Sequence, residues 1–89
     1  MMTLREKDVQ FDPMLKAVGR IVQEKRSNLG ISQEELARRS KLHRTYISDV
    51  ERGSRSVSLI TLCKLADALD ITASVIVSAA ESDIGGKSD

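Results

Sequence analysis

The sequence predicts an all-α domain of five short helices containing a helix-turn-helix, and three observations carry that expectation. Apolar residues recur at spacings of three and four, a capping residue stands ahead of most of these runs, and no stretch alternates as a half-buried strand would. With 89 residues the chain is one domain. Phe11 and Tyr46 are its only aromatic residues, so Leu, Ile, Val and Ala must build the core.

Each helix has its own local signals. Residues 1–11 are polar and unpatterned, as expected of a flexible arm. Asp12-Pro13 then reads as N-cap and first helical position, where proline's missing N–H costs nothing. Met14, Val18, Ile21 and Val22 share one face of the first helix, which should end near Arg26 or Ser27, ahead of Asn28-Leu29-Gly30. Ser32-Gln33-Glu34-Glu35 is a capping box, in which the Ser32 hydroxyl accepts from the Glu35 amide and the Glu35 side chain reaches back to the Ser32 amide. Ile31 and Leu36 occupy the positions of a hydrophobic staple. The second helix should end near Ser40. A third starts at His43 and stops at Gly53, with Ile47 and Val50 inward. Ser58 caps a fourth helix whose inner residues are Leu59, Leu62, Leu65, Ala66 and Leu69. Thr72 caps a fifth, from Ala73 to about Glu81, and a disordered tail is expected over 82–89. The ordered domain is thus expected over 12–81.

Charge is informative by position and not in total. The sum is only +1. Residues 1–37 are balanced, whereas residues 38–58 hold six basic groups (Arg38, Arg39, Lys41, Arg44, Arg52, Arg55) against Asp49 and Glu51. From residue 59 onward Lys64 and Lys87 face Asp67, Asp70, Glu81, Asp83 and Asp89. A basic middle beside an acidic end suits an anionic polymer, although a solvated helical face has the same composition.

Catalytic chemistry has little to work with. His43 and Cys63 fall on different helices without metal-ligand spacing, and Cys63 reads as a packed thiol. Gly86-Lys87-Ser88 ends like a phosphate loop, but Glu81 stands where that loop needs its first glycine. No cofactor, no metal and no small-molecule effector are expected. A single cysteine, no apolar leader and no membrane-length stretch point to a cytoplasmic protein.

The second and third helices carry the chemistry. Their lengths and the short turn between them match a helix-turn-helix. Arg44, Thr45, Ser48 and Asp49 lie on the face of the third helix opposite Ile47 and Val50, where side chains near the N-terminus reach base edges in a major groove. Arginine can grip guanine O6 and N7 together, and a threonine methyl can touch that of thymine. An ordinary helical hairpin with a polar outer face is the alternative.

Ile31-Ser32-Gln33-Glu34-Glu35-Leu36-Ala37 followed by Leu42-His43-Arg44-Thr45-Tyr46-Ile47-Ser48-Asp49-Val50-Glu51-Arg52-Gly53 resembles the Cro/repressor (Xre-like) helix-turn-helix family. The likeness extends over roughly residues 14–77, and Arg-Thr-Tyr-Ile-Ser followed by Glu-Arg-Gly is most like the controller proteins of restriction–modification systems. It implies a five-helix lambda-repressor-like domain that regulates transcription by binding operator DNA as a homodimer.

The same resemblance assigns roles. Gln33 would bind a phosphate at the N-terminus of the second helix, and Arg44, Thr45, Ser48 and Asp49 would face the groove. Tyr46 would lie beside the DNA backbone or half-buried near the turn. His43 would contact phosphate or simply cap its helix. Arg52 and Arg55 would bind backbone, with a base or the minor groove also open to Arg55, and Arg26 with Glu51 would form a structural salt bridge. Arg38 and Arg39 would add longer-range attraction.

Two positions depart from the family pattern. Lys41 stands where a left-handed glycine is common, at a cost of about 1 kcal/mol. Asp49 places an acid against phosphate, sensible where it accepts from a cytosine amine or instead holds Arg44 or Arg52 in position. The resemblance also implies a dimer interface on the fourth and fifth helices, for which Ile60, Cys63, Val75, Ile76 and Val77 are the candidates. A protein-binding module of the antitoxin kind, using the same fold to grip a partner, is the alternative function.

Overall fold

The computed structural model describes residues 12–85, and among these the chain forms α1 (Asp12–Asn28), α2 (Gln33–Ser40), α3 (Arg44–Arg52), α4 (Leu59–Ala68) and α5 (Ala73–Gly85). The proposed arm over 1–11 and residues 86–89 of the expected tail lie outside this range. Helix α1 packs against α3 and α5, α2 against α3 and α4, and α4 against α5. The core is aliphatic, with Leu36, Ile47, Leu65, Ile76, Val22 and Val50 essentially sealed from solvent.

The helix ends follow from local chemistry. At the C-terminus of α1, Gly30 takes φ +71°, and the Ile31 amide returns to the Arg26 carbonyl at 3.3 Å. Ser32 caps α2 by accepting from the Glu35 amide at 3.0 Å. The reciprocal half of the expected capping box is not made, because Arg38 and Arg39 take the Glu35 carboxylate instead. Lys41 closes α2 at φ 60°, ψ 35°, its N–H and that of Leu42 both on the Ala37 carbonyl. A non-glycine residue therefore occupies the left-handed position that the sequence indicated. Ser58 caps α4 through the Thr61 amide at 3.1 Å. Thr72 precedes α5, but its hydroxyl lies 3.0 Å from that of Ser74, and it is the Thr72 carbonyl that receives the Val75 amide.

Helices α1 and α3 cross at backbone contact. A Cβ on Gly19 would fall 2.4 Å from the Val50 carbonyl oxygen and 2.7 Å from that of Glu51, so only glycine fits. Gly53, at φ +73°, is doubly constrained, since a Cβ there would stand 2.7 Å from Lys16 Cα.

Further sequence expectations are corrected. Helix α5 continues through Ser82–Gly85, where a disordered tail was expected, because Ile84 packs on the core and Asp83 pairs with Arg20 of α1. Leu59, expected inside, is 73% exposed. It continues the apolar stripe of α4, but burial begins only with the half-buried Leu62 and the sealed Leu65, a turn or more later. Ile76, expected at a dimer interface, is fully buried within the subunit, since of Val75-Ile76-Val77 it is the one aligned with buried Ala80.

Candidate nucleic-acid interface

The inner side of the α2–α3 unit is fixed by one polar cluster. Arg26 from α1 meets Glu51 of α3 twice, Nε to Oε2 at 2.7 Å and an Nη to Oε1 at 3.1 Å, and its other Nη donates to the Ile31 carbonyl at 2.9 Å. The Glu51 side chain is only 4% exposed. Its hydrogen bond raises Arg26 above the ordinary arginine range, against the opposing effect of burial. The Gln33 amide nitrogen donates to Glu51 Oε1 at 2.9 Å, and its oxygen accepts from Arg44 at 3.2 Å. A chain of hydrogen bonds thus runs from α1 through buried Glu51 to the first residue of α3.

Gln33 is therefore engaged with Arg44 and Glu51 in the free protein. It lines a cleft of about 390 Å³ with Arg26, Ser32, Glu34 and Arg44 at the N-terminus of α2. The expected phosphate role requires that cleft to receive the anion beside the engaged amide.

The outer face of α3 carries the other residues singled out from the sequence. Arg44 and Thr45 are exposed, and Ser48 and Asp49 are half-buried beside them. His43 precedes the helix at φ −73°, ψ 144°, exposed and with no side-chain capping bond, so it does not serve as a hydrogen-bonding cap. Tyr46 is half-buried against the core, and its hydroxyl donates to the Ser56 carbonyl at 3.3 Å. Arg55 lies over its ring, 5.0 Å from the centroid.

Asp49 is the hub of this face. One carboxylate oxygen pairs with Arg52, and the other stands 3.6 Å from Arg55 Nε. Arg52 also donates to the Ser48 hydroxyl at 2.6 Å. Of the two roles the sequence allowed Asp49 within the chain, holding Arg52 is the one adopted, and Arg44 is held by Gln33 instead.

Arg38 and Arg39, on the same side of the chain's charge distribution, grip Glu35. The Arg38 guanidinium first, and Arg39 second, hold its carboxyl down at about 2, and Arg38 is raised in return. On the other half of the molecule, Ile60 is 66% and Val75 40% exposed and Val77 is half-buried; Cys63 is exposed on α4, which corrects the reading of it as a packed thiol. The candidates for association other than Ile76 therefore reach the surface, and Leu59 joins them. No helix among the described residues is long and apolar enough to cross a membrane.

A compact α2–turn–α3 unit with its inner side locked and its outer side polar defines a helix-turn-helix protein. The helix-turn-helix family profile matches residues 22–76, and the chain belongs to that family. Its resemblance is to restriction–modification controller proteins. It is 53% identical to Control protein C.BamHI of Bacillus amyloliquefaciens over 45 residues, which are 51% of this chain and 56% of that protein, so this match spans little more than half of the relative. The crystal structure of the controller protein C.AhdI from Aeromonas hydrophila superposes with a TM-score of 0.69 at 47% identity, covering 70% of this chain and 94% of that one. The controller protein C.Esp1396I, seen as a tetramer in complex with its natural 35 base-pair operator, superposes with a TM-score of 0.73 at 32% identity over 80% of this chain and 93% of that one.

Sequence reasoning missed Gly19 and the Gln33 link. A lone glycine within an otherwise regular helix is the signal for the first, since such a residue needs a packing reason.

Proposed function

We propose that this protein is a cytoplasmic, sequence-specific transcriptional regulator that binds double-stranded operator DNA as a homodimer, in the manner of a restriction–modification controller protein. The observation that carries the reading is the outer face of α3, where Arg44 and Thr45 project from a helix whose opposite side is anchored through Glu51. In this reading α3 enters the major groove and Arg44 and Thr45 touch base edges near its N-terminus, with Ser48 and Asp49 beside them. Gln33, Arg52 and Arg55 bind the flanking phosphates, and His43 and Tyr46 border the backbone.

Leu59, Ile60, Cys63 and Val75 supply an apolar face for a second copy, with Val77 at its edge. A two-fold dimer sets two recognition helices about 34 Å apart and reads a near-palindromic site. The operator-bound tetramer of the similar C.Esp1396I supports an oligomeric reader of an extended site. In this reading regulation operates through concentration and cooperativity, without a small-molecule effector.

Selection of binding sites from random duplex DNA by the purified protein tests this. A two-fold symmetric consensus is the expected result. No enrichment at moderate salt would overturn the reading, and capture of a protein partner with no DNA preference would favour an antitoxin-like module.

A further inference from the structure

Asp49 is an acid on a surface proposed to meet a polyanion, and its partners make its presence intelligible. Its carboxylate is shared between Arg52, three residues on, and Arg55, in the loop that follows. The Asp49 side chain is 21% exposed, whereas those of Arg52 and Arg55 are 61% and 54% exposed. The arginines are thus open to solvent while the acid that holds them is largely covered. Each has a second, weaker hold: Arg52 on the Ser48 hydroxyl, and Arg55 on the face of Tyr46.

A phosphate approaching this face meets cations already neutralised. To contact phosphate through the same nitrogens, Arg52 must exchange its charge-assisted bond to the carboxylate for a similar one to phosphate, a near-balanced trade, and Arg55 must give up a looser ion pair at 3.6 Å. Once its arginines leave, Asp49 stands against the DNA with acceptors and no donor, unless a base supplies one. In the major groove the cytosine N4 amine is such a donor. The exchange is favourable where that amine is in register and unfavourable elsewhere.

Resting on the DNA-binding reading above, we propose that Asp49 gates the phosphate contacts of Arg52 and Arg55, holding both until a base amine in the major groove replaces them. Asp49 is then a specificity-determining residue that acts by withholding affinity from the wrong sequences. Its neighbours Arg44 and Thr45 act in the opposite sense, by adding affinity to the right one.

The test compares wild type, Asp49→Asn, the Arg52→Ala/Arg55→Ala pair and the triple variant. Each is titrated across a salt series with its selected site and with random duplex. Circular dichroism confirms that each variant keeps its helices. Asp49→Asn should tighten binding to random duplex by about tenfold and steepen its salt dependence by about one unit of slope for each freed arginine. Affinity for the selected site should change less, so the ratio between the two falls. Without the two arginines, Asp49→Asn should have little effect on random duplex.

An equal change for both DNAs would overturn the proposal. So would an effect of undiminished size in the arginine-free background, which would make Asp49 a direct repulsive charge. Failure of wild type to bind any duplex at low salt would remove the DNA-binding reading first and the gate with it.

Discussion

In the α1–α3 half several charged groups are paired within the subunit: Arg26 with Glu51, Arg38 and Arg39 with Glu35, and Arg52 and Arg55 with Asp49. The α4–α5 half instead carries large apolar side chains in solvent, with Leu59 73% and Ile60 66% exposed. One half is finished within the subunit, down to backbone contact at Gly19. The other is left open. Under the proposed function the contrast has a physical reason. A reading helix must keep its orientation before DNA arrives, whereas an association face stays incomplete until a second copy covers it.

The largest expected effect lies in the finished half. Glu51→Ala strands the Arg26 guanidinium and releases Gln33, and should destabilise the fold by about 4 kcal/mol in urea unfolding. A loss below about 1 kcal/mol would mean that the cluster is not the anchor described here. Gly19→Ala comes next. Its added methyl has no space against the Val50 carbonyl, and about 3 kcal/mol of stability should be lost as α1 and α3 separate.

A comparable change in the open half should behave otherwise. Ile60→Asp should abolish association in sedimentation while leaving the helical circular dichroism of the subunit intact. Loss of the folded signal at the same temperature would place Ile60 in the core, and the comparison between halves would fail.

The smallest effect sharpens the surface description. Because the Glu35 carboxyl is depressed from 4.5 to about 2, its ion pairs stabilise the fold fully above about pH 4.5. That contribution declines as pH falls through the interval down to about 2. Carboxyl carbon shifts in an NMR titration should show Glu35 with a midpoint near 2, and a midpoint near 4.5 would show that Arg38 and Arg39 do not hold it.

Much of the fold was legible because its signals are local. Ser32, Lys41, Gly53 and Ser58 act within a few residues of themselves, so the helix ends could be read from the chain. The Arg26–Glu51 bridge followed from the family pattern and not from any local rule. What stayed hidden depends on distant neighbours. Leu59 and Ile76 both satisfy helical periodicity, but only the extent of the packed core decides that the first is outside and the second inside. The tail beyond Glu81 is polar by composition, yet Ile84 and Asp83 find partners on the folded surface. Side-chain choices were equally opaque. Glu35 was placed to reach back to Ser32 but takes Arg38 and Arg39 instead, and of the two arginines open to Asp49 it holds Arg52 while Gln33 takes Arg44.

Whether α3 reads bases through Arg44, as proposed, is decided by the Arg44→Ala variant. The variant is measured against the selected site and each single base-pair change within it. Discrimination should relax at one position, by about 1–3 kcal/mol, with preferences elsewhere retained. An equal loss of affinity for every sequence would make Arg44 a phosphate contact and not a reader of bases.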